Sequence, residues 1–401
     1  MLSRRQLVVG GVTTIGAAVT AGSLLGKSLV EGELQNSDVT EVQNPKGMPH
    51  IYKNPGLGIE CTLRKNVTLM AFDLRPGVTA NDMLRWMTLV TDTSQSLIEG
   101  KPISGDPEPE LAAGDGNLAL SVGFGPSLFK RLGLVSRMPT GFGKLPSFKI
   151  DRFSGDYSDG DVLLQVQGNL PLQVTHAVRV LLRDSSDFAT LKWQQEGFTQ
   201  QFREGTSTKV HRNLMGQVDG TDNPEIGTPD FSGVVWIEAG PEWAIGGTQL
   251  VIRRIRMNLD TWDSLATRQK ELTIGRSLDN GAPLSGRHLS DPVDLNARDA
   301  SGLVAIPDYA HIRRASAQNL DERFYRRPYN YTEPGGKGRY PESGMIWMAY
   351  ARDLSKQYVP VQTRLAEYDL LNIWTQPVGS AVFAIAPVPA TGSVFAAALF
   401  R

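Results

Sequence analysis

The sequence predicts an α+β fold made of two similar halves, each a mainly antiparallel sheet with flanking helices. Three observations carry that expectation. Stretches of strand composition alternate with stretches of helical apolar spacing, and the alternation begins again near the middle of the chain. The 401 residues, 40% hydrophobic and 21% charged, suffice for two ordinary cores. No Gly-rich nucleotide fingerprint accompanies the pattern, although periodicity alone also fits a doubly wound α/β chain.

The chain begins with Ser3-Arg4-Arg5-Gln6-Leu7-Val8, paired arginines set directly before a Gly-, Ala- and Thr-rich apolar run that reaches about Leu25. That is the pattern of a twin-arginine export signal, assigned to residues 1–27. Cys61 is the only cysteine, which suits a protein folded in the cytoplasm and exported afterwards without an intramolecular disulfide. The expected location is periplasmic or extracellular. An ordinary secretory signal and a retained membrane anchor stay open, with Ala18-Val19-Thr20-Ala21 as a cleavage candidate. Residues 28–56 are polar, hold Pro45, Gly47 and Pro49, and read as a linker.

Folded sequence starts after the linker. Asn66 to Leu74 has strand composition, and Ala80 to Asp92 spaces Met83, Leu84, Trp86, Met87 and Val90 as a helix. A strand from Leu118 to Gly123 leads to a short helix from Pro126 to Leu132. Asp161 to Gln167 is a further strand, followed by a helix from Leu172 to Leu182. The second half repeats this grammar: a strand from Gln249 to Met257, a helix around Trp262 to Gln269, a strand from Met345 to Ala351, a helix from Ser355 to Glu367 and a final strand from Ala381 to Pro387. The halves are assigned to residues 57–215 and 216–401.

Lys and Arg (41) nearly cancel Asp and Glu (42), so overall charge gives no reason to expect nucleic acid or an anionic membrane as partner. Function has to be sought locally. Arg212 to Pro224 sets Gly216 and Gly220 around Asp219 in a Gly-x-x-Asp-Gly loop, which taken alone is also an ordinary tight turn. Further on, His311-Ile312-Arg313-Arg314 precedes Arg326-Arg327-Pro328-Tyr329. The histidines are His50, His176, His211, His288 and His311, and none is paired at zinc-site spacing. A peroxidase haem needs one imidazole ligand, so such a chain can still hold haem.

From about Val67 onward the chain resembles the dye-decolourising peroxidase family, in particular its exported, deferrochelatase-like branch. The likeness rests on Gly123-Phe124-Gly125, Arg212 to Pro224, Gly240-Pro241-Glu242-Trp243, Gly246-Gly247-Thr248, Arg253 to Met257, Gly275-Arg276, Gly281-Ala282-Pro283-Leu284, His311 to Arg314, Arg352-Asp353-Leu354 and Gly379-Ser380-Ala381. The resemblance implies two ferredoxin-like domains of the dimeric α+β barrel type, with one haem b held mainly by the second. It implies His311 as iron ligand and Asp219 with Arg326 on the peroxide side. Gly216, Gly220, Thr221, Arg326 and Trp347 would line the haem. His211 is the rival ligand, being close to Asp219 in sequence.

Peroxide must lose a proton at one oxygen and gain one at the other before its O–O bond breaks heterolytically, a task for a carboxylate such as Asp219. Arg326 would stabilise the charge on the departing oxygen. His311 would need an acceptor on its second ring nitrogen; Asp291 and Asp294 are at a plausible loop distance, though both also read as solvated loop carboxylates. Tyr329 and Tyr331 flank the distal loop and are candidates for carrying oxidising equivalents outward, and Trp347 for the pocket wall.

Two departures stand out. Arg326-Arg327-Pro328-Tyr329 replaces the family's Arg-Arg-Gly-Tyr, and Ala315 to Asn319 replaces a stretch with Asn-Pro-Arg. Implied partners are hydrogen peroxide, small aromatic reductants and the twin-arginine machinery, with a homo-oligomer and an iron-uptake permease also compatible. The enzymatic alternative is a deferrochelatase, which releases iron from haem and leaves the porphyrin intact. A haem carrier without turnover would have no need of Asp219 or Arg326.

Overall fold

A computed structural model of the chain describes residues 57–103, 105–114, 116–204, 208–319, 321–335, 340–390 and 392–401. The export signal of 1–27, the linker of 28–56 and His50 lie outside the described residues. Among the described residues no helix is long and apolar enough to cross a membrane.

The first half runs β1 (Asn66–Leu74), α1 (Ala80–Ile98), β2 (Ala119–Phe124), α2 (Pro126–Arg131), β3 (Val162–Gly168), α3 (Pro171–Ser185) and β4 (Ala189–Phe198). Three short strands follow, β5 (Gln201–Glu204), β6 (Thr208–Arg212) and β7 (Val218–Asp219), forming a separate antiparallel sheet. The second half holds α4 (Pro229–Val235), β8 (Thr248–Met257), α5 (Leu259–Asp263), α6 (Thr267–Ile274) and α7 (His311–Ala315). It ends with β9 (Tyr325–Arg326), β10 (Tyr329–Glu333), β11 (Glu342–Ala351), α8 (Leu354–Gln357), α9 (Val359–Tyr368), β12 (Thr375–Ile385) and α10 (Ala397–Phe400).

Each half arranges its four long strands in the order fourth, first, third, second: β4-β1-β3-β2 and β12-β8-β11-β10. That is the ferredoxin-like arrangement. The halves meet through β2 with β12 and through β4 with β10, so eight strands close into one antiparallel ring. Closure removes unpaired edges at both junctions.

Local sequence explains the elements that frame the ring. In α1, Thr79 accepts the Asp82 backbone N–H while the Asp82 carboxylate accepts that of Thr79, and Met83, Trp86, Met87, Val90 and Leu97 turn one apolar face inward. Trp86 stacks on Phe188 at 5.9 Å and meets Phe72 edge-on. Inside the ring, the Gln165 amide on β3 donates to Tyr350 Oη on β11 at 3.0 Å, joining strands on opposite sides of the barrel. Such an exchange satisfies two buried polar groups at once.

Several expected elements differ in extent. The helix around Trp262 is two, α5 and α6; the helix expected from Ser355 to Glu367 is also two, with Pro360 opening the second. The last strand begins at Thr375, before the expected Ala381, and α10 follows it. β4 went unpredicted because Lys192, Gln194 and Glu196 interrupt its apolar run, yet Ala189, Trp193, Gln195 and Gly197 point inward.

Candidate active site

The functional candidates gather around one cleft that holds about 1610 Å³ of space free of protein atoms, its mouth included. Ile274, Met257, Ile312, Met345, Trp347 and Leu371 give it apolar walls, while Asp219, Arg276, His311 and Arg326 bring charge or titratable groups. This mixture of apolar walls and charged groups suits a large cofactor that has an apolar body and ionised substituents.

His311 is the first residue of α7, and three contacts fix that short helix. Arg313 donates to the carbonyls of Leu295 and Ile306, and Arg364 on α9 donates to those of Arg314 and Ser316. Third, His311 Nδ1 lies 2.6 Å from Asp369 Oδ2. Asp369 is itself held, because its Oδ1 accepts the Leu371 backbone N–H at 2.9 Å. Burial alone would push His311 down, but the Asp369 charge and hydrogen bond outweigh it and hold the imidazole above the usual histidine value. Nε2 has no hydrogen-bond partner among the described residues and is the ring nitrogen left for the cleft.

Asp369 is the acceptor that sequence reading did not find, having only Asp291 and Asp294 as candidates. Asp291 instead accepts the backbone N–H groups of Arg287 and His288, and Asp294 that of Asn296, so both serve their own loop turns. The rival ligand His211 sits on β6 with its ring nitrogens near Thr199 Oγ1 and Gln201 Nε2 and does not line the cleft. His176 is buried against Asp106, 2.9 Å away.

The Asp219 loop is shaped by residues whose roles the sequence left blank. Arg212 donates to the carbonyls of Gly216, Leu278 and Asp279, and Asn213 Oδ1 accepts the N–H groups of Met215 and Gln217. Gly216 and Gly220 have φ of +81° and +80°, which side-chain-bearing residues rarely adopt. Gly216 therefore turns the chain and does not itself line the cleft, whereas Gly220 and Thr221 do.

Asn223 links this loop to the arginine. Its Oδ1 accepts the backbone N–H of Arg326 at 3.0 Å and the guanidinium Nε at 3.3 Å, and its Nδ2 donates to the Arg326 carbonyl at 2.8 Å. Arg276 lines the cleft as well, with Arg253 and Arg323; burial and nearby Arg326 hold Arg276 below the usual arginine value against the pull of Asp222. Trp347 lies half-buried on the wall, 5.6 Å from both Phe324 and Tyr358.

Tyr329 and Tyr331 are not at a surface exit. Each is 1% exposed, and their hydroxyls donate to Gln167 and Glu342. The proline that departs from the family pattern, Pro328, breaks the chain between β9 and β10 and lines a smaller cavity that also reaches Asp219 and Arg326.

The family model described as Dyp-type peroxidase, N-terminal, matches residues 58–199, and that described as Dyp-type peroxidase, C-terminal, matches residues 210–390. A dye-decolorizing peroxidase of Thermobifida fusca is 37% identical over 67% of this chain and 64% of that protein, just under two thirds of its length. A deferrochelatase of Escherichia coli is 30% identical over 100% of this chain and 97% of that one. The crystal structure of a DyP-type peroxidase from Cellulomonas bogoriensis is 41% identical and superposes with a TM-score of 0.80, covering 86% of this chain and 99% of that one. With two domain models matched in order and such relatives on both sides, the chain belongs to the Dyp-type peroxidase family.

Proposed function

We propose that this protein is a haem-dependent peroxidase that reduces hydrogen peroxide at the expense of phenolic or dye-like reductants. The observation that carries the reading is the joint presence in one cleft of an imidazole backed by a carboxylate, His311 with Asp369, and of Asp219 beside Arg326. The residues present fit haem b: His311 Nε2 would offer a nitrogen to its iron, the walls would suit its apolar macrocycle, and Arg276 and Arg326 would suit its carboxylates. His311, Gly220, Thr221, Arg326 and Trp347 would hold it.

Bound haem supplies the redox-active iron and the porphyrin that take electrons from a reductant. Before any reductant is oxidised, Asp219 moves the proton, accepting it from one peroxide oxygen and returning it to the other as the O–O bond breaks. Arg326 remains charged throughout and stabilises the negative charge on the departing oxygen. Asn223 holds the Arg326 backbone so that this charge is placed before peroxide arrives.

Several further readings belong to the same proposal. The chain would leave the cytoplasm folded by the twin-arginine route, on the evidence of Arg4 and Arg5 before an apolar run and of the single Cys61. The second functional reading is deferrochelatase activity, favoured by the relative of that name that aligns along the whole chain. An iron-uptake permease would be its partner.

The test is the absorption spectrum of the haem-loaded protein before and after one equivalent of peroxide, beside His311→Ala and Asp219→Ala. A displaced or missing Soret band in the first variant and a slowed peroxide-induced change in the second are expected. A wild-type protein that takes up no haem would defeat the proposal. Release of free protoporphyrin without a peroxide-dependent change would favour the deferrochelatase.

A further inference from the structure

Asp219 and Arg326 stand on a wall between two cavities. One is the large cleft; the other, about 790 Å³ of free space with its mouth included, is bounded by Val218, Asp219, Gly220 and Arg326 as well but not by His311. The second cavity in turn shares Thr62, Leu63 and His211 with a polar outer groove of about 1450 Å³. The shared lining residues set the three spaces side by side, with His211 on the boundary between the outer groove and the cavity that Asp219 lines.

The backbone sets His211 against Asp219. In the β6–β7 ladder the two are directly opposite, which puts their side chains on the same face with Cβ atoms about 4.5–5.5 Å apart. On the other side Gln201 of β5 is paired with His211. His211 Nε2 lies 3.3 Å from the Gln201 amide nitrogen and Nδ1 lies 3.1 Å from Thr199 Oγ1, and both partners line the outer groove. The imidazole therefore touches groove residues while sharing the inner cavity with Asp219.

The reaction gives this position a task. Reduction of hydrogen peroxide to two waters consumes two electrons and two protons, and Asp219 only moves the proton that peroxide already carries. A bulky phenol or dye oxidised from outside leaves its proton in bulk solvent. Each turnover then requires protons to reach the half-buried Asp219 carboxylate from outside.

We propose that His211 is the relay that passes those protons from the outer groove to Asp219, across water admitted to the cavity between them. The inference rests on the peroxidase reading and deepens it by assigning the proton inlet. His211 acts through Asp219 and touches neither peroxide nor cofactor, so it is a positioning and relay residue.

The charged surroundings suit that role. Asp219 faces His211 from β7, Arg326 and Arg327 from the segment beside Pro328, and Cys61, Arg64 and Lys65 from the N-terminal segment that lines the same two cavities. Burial and Arg327 push His211 below the usual histidine value, while Asp219 pulls it up. The ring is then neutral near neutral pH, with one nitrogen able to take a proton while the other gives one up.

Two measurements test the relay. In the full-length chain, the ring resonances of His211 are followed against pH by NMR in the wild type and in Asp219→Asn. Loss of the neighbouring negative charge should lower the His211 midpoint, a coupling that needs no turnover. In the haem-loaded protein already treated with one equivalent of peroxide, stopped-flow mixing with an aromatic reductant is followed by the return of the resting Soret band, the step that takes up the two external protons, for wild type, His211→Gln and His211→Ala across pH, with Soret absorbance checking equal loading.

The relay predicts that His211→Gln returns to rest about tenfold more slowly and loses the inflection that matches the NMR midpoint, that added imidazole speeds His211→Ala, and that the preceding reaction with peroxide is changed less in both. An unchanged His211 midpoint in Asp219→Asn, or a His211→Gln profile that overlays the wild type, overturns the relay and leaves the peroxidase reading standing. A wild-type protein that binds haem but does not react with peroxide overturns both.

Discussion

His311 Nδ1 lies 2.6 Å from Asp369 Oδ2, a bond that joins positions 58 residues apart and leaves the other ring nitrogen for the cleft. A carboxylate on the far side of a ligating imidazole fixes its tautomer and makes it a stronger donor. Replacing it with a neutral acceptor should keep the geometry and lose the charge. Asp369→Asn is expected to weaken haem binding about 10- to 100-fold and to raise the reduction potential of the bound iron. Titration of the haem-free chain with haem measures the first effect, and equal affinities would mean that Asp369 only caps the Leu370–Ile373 turn.

Asp219 tests differently, because the role proposed for it is confined to moving a proton. Asp219→Asn should bind haem as tightly as the wild type, since the Gly220 N–H that Asp219 accepts is a single local contact. Its reaction with peroxide should slow by about 10²- to 10⁴-fold, the usual worth of a positioned acid–base group. Stopped-flow rates beside haem titrations separate the two effects. A slowed variant that has also lost haem would point to a structural role for the loop.

What could be read in the sequence divides along physical lines. Asp219, His311 and Arg326 stand in local motifs whose spacing survives as text, and the structure brings all three to one cleft. Asp369 left no such trace: an Asp-Leu-Leu turn looks like any capping carboxylate, and only tertiary packing brings it to His311. The barrel was implied by the family resemblance alone and had no signal in the strand pattern, since β4 joins β10 through the single pair Phe198 with Asn330. Tyr329 and Tyr331 were misjudged because proximity to a loop in sequence says nothing of burial, and alternate positions of β10 turn both phenols into the interior.

Asn223 offers a test of positioning as distinct from catalysis. Its carboxamide accepts the Arg326 N–H and donates to the Arg326 carbonyl, so the arginine backbone is clamped to the loop that carries Asp219. Asn223→Ala leaves those groups unpaired, at a local cost of about 1–3 kcal/mol. The peroxide step should slow by about tenfold, less than the roughly 10²- to 10³-fold lost when such a group is removed outright. Saturation by the aromatic reductant should be unchanged. Asn223→Asp, which keeps the acceptor and loses the donor, should fall between; a larger loss in reductant affinity than in peroxide rate would refute the clamp.

Acid should loosen the wall behind His311 before it affects the chemistry. Glu322 is 8% exposed, accepts the Gln318 N–H and the Asn319 amide, and pairs with Arg364 at 2.7 Å, the same arginine that holds the end of α7. Burial alone would raise its carboxyl, but the Arg364 hydrogen bond, with help from Gln318 and the Arg364 charge, leaves it below the ordinary value of 4.5. A folded-state value below the unfolded one means that the native state binds the proton less readily. The stabilisation is therefore complete above 4.5 and is lost as pH falls through the lowered value. Melting temperatures recorded from pH 7 to 3 should show Glu322→Gln less stable than wild type at neutral pH and converging with it in acid. Parallel curves would mean that the pair contributes nothing that titrates, and that Arg364 alone secures α7.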